Sequence, residues 1–254
     1  MAEQARLKTL WRTRAQQYGA RSVLNLRHRP EDYQQITDLQ TSVLMPLLRS
    51  CLTGMEQRGL DFGCGAGRFS GAISAVLGQE RPISMLAYDV CQEILDLAPP
   101  HAFVDYTSDF SLVESRGEDE LFDVVWICLV LGGLPDKLCE VIVKTLSNRL
   151  ADGGRLFLVE HVEDVRGGNE IWSLRTLAEY QSMFFPIRLR RLGGYFDCGN
   201  AVTVLAGTRR PRRNAGARGW ARYLRAEATL RLAQIAGFLR RGRLERVELD
   251  RYRR

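Results

Sequence analysis

The chain of 254 residues predicts an α/β fold, with a mostly parallel sheet covered by helices on both faces. Three observations carry this. Short apolar runs alternate with helix-period stretches along most of the chain, the pattern of parallel strands joined by helical crossovers. The run Leu60-Asp61-Phe62-Gly63-Cys64-Gly65-Ala66-Gly67 closes a strand and enters a helix through a glycine-rich turn. About twenty residues past the last of these glycines, Ile83 to Asp89 reads as a buried strand ending in a carboxylate.

The elements follow in order. Residues 3–18 place Leu7, Trp11 and Tyr18 on a common side of a helix that Gly19 ends. A connection over 20–29 precedes Pro30, which with Glu31 and Asp32 opens a second helix. Tyr33, Ile36, Leu39, Val43 and Leu47 recur there at helical spacing, and Pro46 is expected to kink it. Strands are then expected at 57–62, 83–89, 102–106, 121–131 and 154–161, with helices at 68–77, 91–98, 136–149 and 170–183. Two last strands, 187–192 and 201–207, have only a loop between them, which fits an antiparallel finish.

Composition narrows the class. A hydrophobic fraction of 45% is that of a globular protein. The longest apolar run, Val124 to Leu134, contains two glycines and stops at Pro135, too short to span a bilayer. The first residues lack a continuous apolar core and read as no signal peptide. Six scattered cysteines without a C-x-x-C pair suggest reduced thiols in a cytoplasmic protein, neither disulfides nor metal ligands. Charge is uneven: residues 209–254 hold 15 Arg, no Lys and 4 acidic residues, a local +11 that leaves −5 for residues 1–208. A mildly acidic body carries a basic tail.

The D-x-G-x-G-x-G spacing of residues 61–67 departs from the G-x-G-x-x-G of dinucleotide sites. It resembles motif I of the class I S-adenosylmethionine (SAM) methyltransferases, and the likeness covers about residues 55–208. The resemblance implies a Rossmann-like sheet of seven strands, mostly parallel with an antiparallel last strand. Residues 1–54 would then form a helical lid and 209–254 a basic helical tail. It implies SAM as cofactor, with Asp61, Gly63, Gly65 and Gly67 in the loop under its amino-acid part and Asp89 accepting from the ribose hydroxyls. Asp109, after the third strand, is similar in place to the acid that meets the adenine amino group. The backbone of 128–132, including Val130, would wall the methionine half.

Methyl transfer from a sulfonium is an in-line displacement, so no metal is called for, and a hydroxyl acceptor additionally wants a general base. The chain has three histidines. His101 opens the third strand at the edge opposite the ligand end and is expected to be structural. His161 directly follows the strand at 154–161 and is the first choice for catalytic base, with Glu160 and Glu163 orienting it or acting instead. His28 lies in the N-terminal connection and, with Tyr18 and Arg21, is a candidate substrate contact of the lid.

Absent motifs narrow the acceptor. After the strand at 121–131 there is neither the Asp/Asn-Pro-Pro-aromatic run of exocyclic-amine methyltransferases nor a Pro-Cys nucleophile. Gly132 and Gly133 stand where many small-molecule enzymes carry a histidine, which is expected to leave room for a bulky acceptor. A looser resemblance to methyltransferases found with bacterial surface-polysaccharide assembly enzymes suggests a sugar hydroxyl or terminal phosphate. Two rival readings are an RNA methyltransferase, with Arg209, Arg210, Arg212 and Arg213 on phosphates and Trp220 and Tyr223 for stacking, and a non-catalytic scaffold. The acidic body disfavours the first and the intact glycine loop the second.

In the tail, Trp220, Leu224, Ala228, Leu232, Ile235 and Leu239 follow helical steps between arginines. The stripe could pack on the body or on a second copy in a homo-oligomer. Its sharper use is to lie on an anionic membrane surface or dock onto a membrane-bound synthase, which would make the protein peripheral at the inner face of the cell membrane.

Overall fold

The computed structural model describes residues 2–78, 83–115, 117, 120–169 and 171–244. Helix α1 (Ala2–Tyr18) and two short 3₁₀ turns lead into α2 (Tyr33–Cys51). Next come β1 (Arg58–Phe62), α3 (Ser70–Leu77), β2 (Ser84–Tyr88), α4 (Gln92–Leu95), β3 (Val104–Thr107), α5 (Ser111–Glu114) and β4 (Phe122–Cys128). The chain continues through α6 (Asp136–Arg149), β5 (Leu150–Glu163), β6 (Gly167–Gly168), β7 (Ser173–Thr176) and α7 (Leu177–Met183). It closes with β8 (Arg190–Asp197), β9 (Asn200–Thr208) and α8 (Ala217–Leu244).

The main sheet runs β3-β2-β1-β4-β5, all parallel, then β9 antiparallel beside β5 and β8 antiparallel at the edge. Each central strand feeds two cores because successive side chains point to opposite faces. In β4, Val124 and Trp126 pack with α2, α3 and α8, while Val125 and Ile127 pack with α6 and α7. Trp126 stacks flat on Phe157 of β5 with ring centroids 4.7 Å apart, fixing the centre of the first core.

Two expectations need correction. Residues 170–183 are not one helix. Asn169 Oδ1 accepts from Ile171 and Trp172 N–H, closing the β6–β7 hairpin, and helix begins only after Thr176, where Thr176 and Glu179 form a capping box. The main sheet has the seven expected strands, and the extra hairpin, with β7 parallel to the end of β5, adds two short ones. The expected loop at 193–200 is mostly strand: β8 bulges between Arg191 and Gly193 and runs on to a tight turn at Cys198 and Gly199. α2 carries Pro46 inside its helical span.

The tail departs further. The inward side of α8 is Ala226, Leu230 and Ala233, buried against the first core, with Gly237 meeting the Leu192 carbonyl so closely that a Cβ would sit 2.0 Å from it. The stripe singled out from sequence faces outward: Leu224, Leu232 and Ile235 are each more than half exposed. Of that stripe, the Leu239 side chain lies outside the described residues, as do those of Arg240 and Arg241. Arg155, 2% exposed, joins tail to body by donating to the Cys51 and Ala226 carbonyls and to Thr208 Oγ1.

Candidate active site

A cavity of about 890 Å³ opens at the carboxyl ends of β1, β2 and β4. Its floor is the β1–α3 turn. Gly63 and Gly65 both have positive φ, and a Cβ on either would lie 2.4 Å from Val130 Cγ2 or 2.6 Å from Val23 Cγ1. Only glycine allows backbone this close to both walls. Asp89 stands at the rim, its carboxylate accepting from Gly65 N–H at 3.0 Å and Cys91 N–H at 2.9 Å. Burial pushes its pKa up to about 6 against the pull of those two bonds. Trp11 of α1 and Val23 of the following turn cover the opening.

The wall formed by residues 129–134 is held from both sides. Glu160 Oε1 accepts from Val130 N–H at 2.7 Å and Leu131 N–H at 2.6 Å. Arg175, fully buried, donates to the Leu131 carbonyl at 2.6 Å, the Leu134 carbonyl at 2.8 Å and Asp136 at 2.9 Å. A carboxylate taking the amides and a guanidinium taking the carbonyls fix this segment, in which Leu129 has a φ of 55°. Burial raises Glu160 to about 7.

A second cavity, about 1340 Å³, shares Trp11, Val23 and Leu129 with the first. It is lined by His161, Trp172, Asp197 and the segment around Asn25. His161 Nδ1 lies 3.0 Å from the Ala201 carbonyl oxygen, which can only accept, so Nδ1 is the donor and the acceptor nitrogen of the neutral ring is Nε2. The Trp172 ring stands edge-on to the imidazole, centroids 6.4 Å apart. The 20–29 connection is pinned to the β8–β9 turn: buried His28 Nε2 meets Asp197 Oδ1 at 2.5 Å, and Arg27 donates to the Cys198 carbonyl at 2.9 Å.

A family model described as a methyltransferase domain matches residues 23–238. The chain belongs to this methyltransferase family. No curated protein matches it. Among solved structures, it resembles a DhpI–SAH complex with a TM-score of 0.57 at 15% identity, covering 84% of this chain and 100% of that one. It resembles magnesium protoporphyrin IX methyltransferase from Synechocystis PCC 6803 with bound SAH at 0.52 and 15% identity, over 71% of this chain and 84% of that one. N-methyltransferase NodS from Bradyrhizobium japonicum WM9 with SAH follows at 0.50 and 16%, over 67% and 87%. The protein thus carries a methyltransferase domain, in a fold shared with structures that hold SAM or SAH.

In this methyltransferase the expected cofactor residues divide. Gly63, Gly65, Asp89 and Val130 line the first cavity. Asp61 and Gly67 lie beneath the loop instead: Asp61 is buried and accepts from Ser70 Oγ at 2.7 Å, with burial raising its pKa to about 7, and Gly67 abuts Tyr106 and Ala98. Asp109 is exposed and turned to its own backbone, accepting from Ser111 N–H at 2.9 Å, so it does not reach the cavity. Of the candidate catalytic pair, His161 faces the second cavity. Glu160 does not; at 0% exposure it is a positioning residue for 130–131. The lid candidates are corrected likewise. His28 pins the 20–29 connection, Arg21 braces it by donating to the Leu26 and His28 carbonyls, and Tyr18 lines neither cavity.

The room expected over Gly132 is taken, since a Cβ there would lie 2.3 Å from the Trp172 indole. His101 is exposed beside Phe103 at the far end of β3, away from both cavities. Cys198 shares a buried cluster with His28 and Asp197 whose donor atoms lie within 4.8 Å of one another. The direct His28–Asp197 contact closes the space between those two donors. Sequence reasoning missed Trp172 and Asp197, whose neighbours carry no motif, and Arg175, whose burial in a 3₁₀-and-strand corner no periodicity announces.

Proposed function

We propose that this methyltransferase transfers the methyl group of SAM to an oxygen of a small molecule or glycan held in the second cavity, with His161 as general base. The observation that carries the reading is the His161 tautomer: Nδ1 is tied to a carbonyl, leaving Nε2 as acceptor in a cavity that shares Leu129 with the cofactor cavity. The glycine floor and the Asp89 rim fit SAM, because Cβ atoms would fill the floor and the carboxylate can accept hydroxyl protons. When bound, SAM supplies an electrophilic methyl on a positively charged sulfur.

The chain's own residues do the rest. Asp89 would accept from the ribose hydroxyls and the 63–65 backbone would support the amino-acid part, since these residues line the first cavity. Glu160 and Arg175 hold the Val130 wall in one geometry, which aligns nucleophile and methyl carbon. Trp11 and Val23 exclude water from the junction of the two cavities. Nε2 of His161 takes the acceptor hydroxyl proton as the oxygen attacks.

The acceptor in this reading is a sugar hydroxyl or phosphate of a surface-polysaccharide or glycolipid precursor, met on the cytoplasmic side with the protein peripheral to the membrane. The Arg-rich tail supports that placement, and no described helix is long and apolar enough to cross a membrane. The test is methyl-labelled SAM incubated with enzyme and a fractionated cell extract. Label in a glycan, glycolipid or small-molecule fraction is expected; label confined to RNA overturns the reading, and failure of the enzyme to bind SAM in calorimetry would leave only a scaffold.

A further inference from the structure

Away from the cleft, α8 and the β8–β9 edge enclose a hollow of about 840 Å³. Its lining is basic: Arg188, Arg190, Arg210 and Arg231 converge on it with Tyr223 and Thr208. One acid, Glu227, is present and is already paired with Arg190 and Arg231. Among the described residues neither Arg188 nor Arg210 has a carboxylate partner, and both are exposed. Four guanidinium groups against one carboxylate make a concave site for an anion with several acceptor oxygens, which planar donors bind in pairs.

The rim of the hollow is apolar, which a site for a free anion would not need. Phe185, in the lining, is 80% exposed. Trp220 stands edge-on to Tyr223 of the lining at 6.0 Å and is 42% exposed. From there the outward face of α8 continues through Leu224, Ile235 and Phe238, at 62%, 58% and 64% exposure. The opposite face, Ala226, Leu230 and Ala233, is already spent on the core. Large side chains beside arginines form the combination that lies at a headgroup boundary, apolar tips inward and cations at phosphate level.

We propose that this surface docks on an anionic phospholipid bilayer, with a lipid phosphate in the Arg188–Arg210–Arg231 hollow and the Trp220–Phe238 face of α8 in the interface. The inference rests on the peripheral placement proposed above and gives it a site. It also sets an orientation. Thr208 pairs with Arg155 near the start of β5, so the hollow lies toward the amino ends of the parallel strands, whereas both cavities lie at their carboxyl ends. A lipid phosphate in the hollow therefore stays clear of both cavities.

The test uses the full chain and vesicles of phosphatidylcholine, alone or with 30 mole per cent phosphatidylglycerol. Co-sedimentation with the anionic vesicles only is expected. Arg188→Gln with Arg210→Gln should weaken it by roughly thirtyfold, at about fivefold for each arginine near the surface. Leu224→Ser with Ile235→Ser should weaken it at least about tenfold, and both pairs should keep wild-type SAM affinity. Absence of vesicle binding, or equal binding by all three proteins, overturns the proposal. So does inorganic phosphate held in the hollow without vesicle binding, which marks a soluble-anion site. RNA binding lost in the arginine pair without vesicle binding, or a dimer that the leucine pair dissociates, overturns it too. SAM calorimetry on the same samples keeps failure of docking separate from failure of the methyltransferase reading.

Discussion

The two halves of the cleft are built by different means. The cofactor half rests on one contiguous run, residues 61–67, plus Asp89 at the next strand end, and backbone shape does most of its work. The half proposed to hold the acceptor is assembled from the 20–29 connection, the end of β5, the β6–β7 hairpin and the β8–β9 turn, and side chains do the work. The difference teaches that a site defined by where backbone must pass tolerates little substitution. A site defined by converging side chains can be re-specified one residue at a time while the fold stands.

The hardest test of the comparison is Gly65→Val. A β-branched side chain at φ 56°, with its Cβ 2.6 Å from Val23 Cγ1, fills the floor and pushes at the 20–29 connection. Calorimetry should detect no SAM binding while circular dichroism shows a folded protein; normal affinity in a folded variant would remove the glycine floor from the site.

On the acceptor side, His161→Ala should lower turnover by about 10²–10⁴ with SAM binding intact. Loss of SAM binding instead would mean that the two halves are not separable, and a rate within a few-fold of wild type would leave a purely positional mechanism.

The smallest expected effect sharpens the cofactor half. Asp89→Ala should weaken SAM by about 1.5–3 kcal/mol, the range for hydrogen bonds to a charged group. Because burial raises Asp89 to about 6, the carboxylate protonates as pH falls through that value and loses acceptor capacity. SAM affinity should therefore drop about tenfold from pH 7 to pH 5, and Asp89→Asn should flatten that dependence. The stability contribution has the opposite sign: a raised carboxyl favours the folded state at acid pH and loses that advantage as pH rises through about 6. A pH slope unchanged in Asp89→Asn would assign the titration to another group.

What could be read from the sequence follows the same division. The alternation of strands and helices and the glycine-rich turn after β1 were legible because each is dictated by residues adjacent in the chain. Asp109 misled because an acid after a strand can serve its own backbone as readily as a ligand, and here it caps the turn at Ser111. Glu160 misled because alternation along β5 sends it inward and His161 outward, a parity the residue types do not reveal. In α8 two apolar stripes coexist; the one of larger side chains stands out in the sequence, while the one of Ala226, Leu230, Ala233 and Gly237 is what the body accepts. Small residues win there because the helix must approach β8 closely.

Arg155 sets the order of events during synthesis. Its guanidinium sits in the core from the moment β5 is in place, yet one of its acceptors, the Ala226 carbonyl, lies 71 residues further along. At roughly 5–20 residues per second, that interval lasts about 4–14 s, during which a charged group and the Leu230 socket wait uncovered. A nascent chain cannot close this core until residues 226–233 have left the ribosome, and a transcript cut short before them would yield an unfinished body.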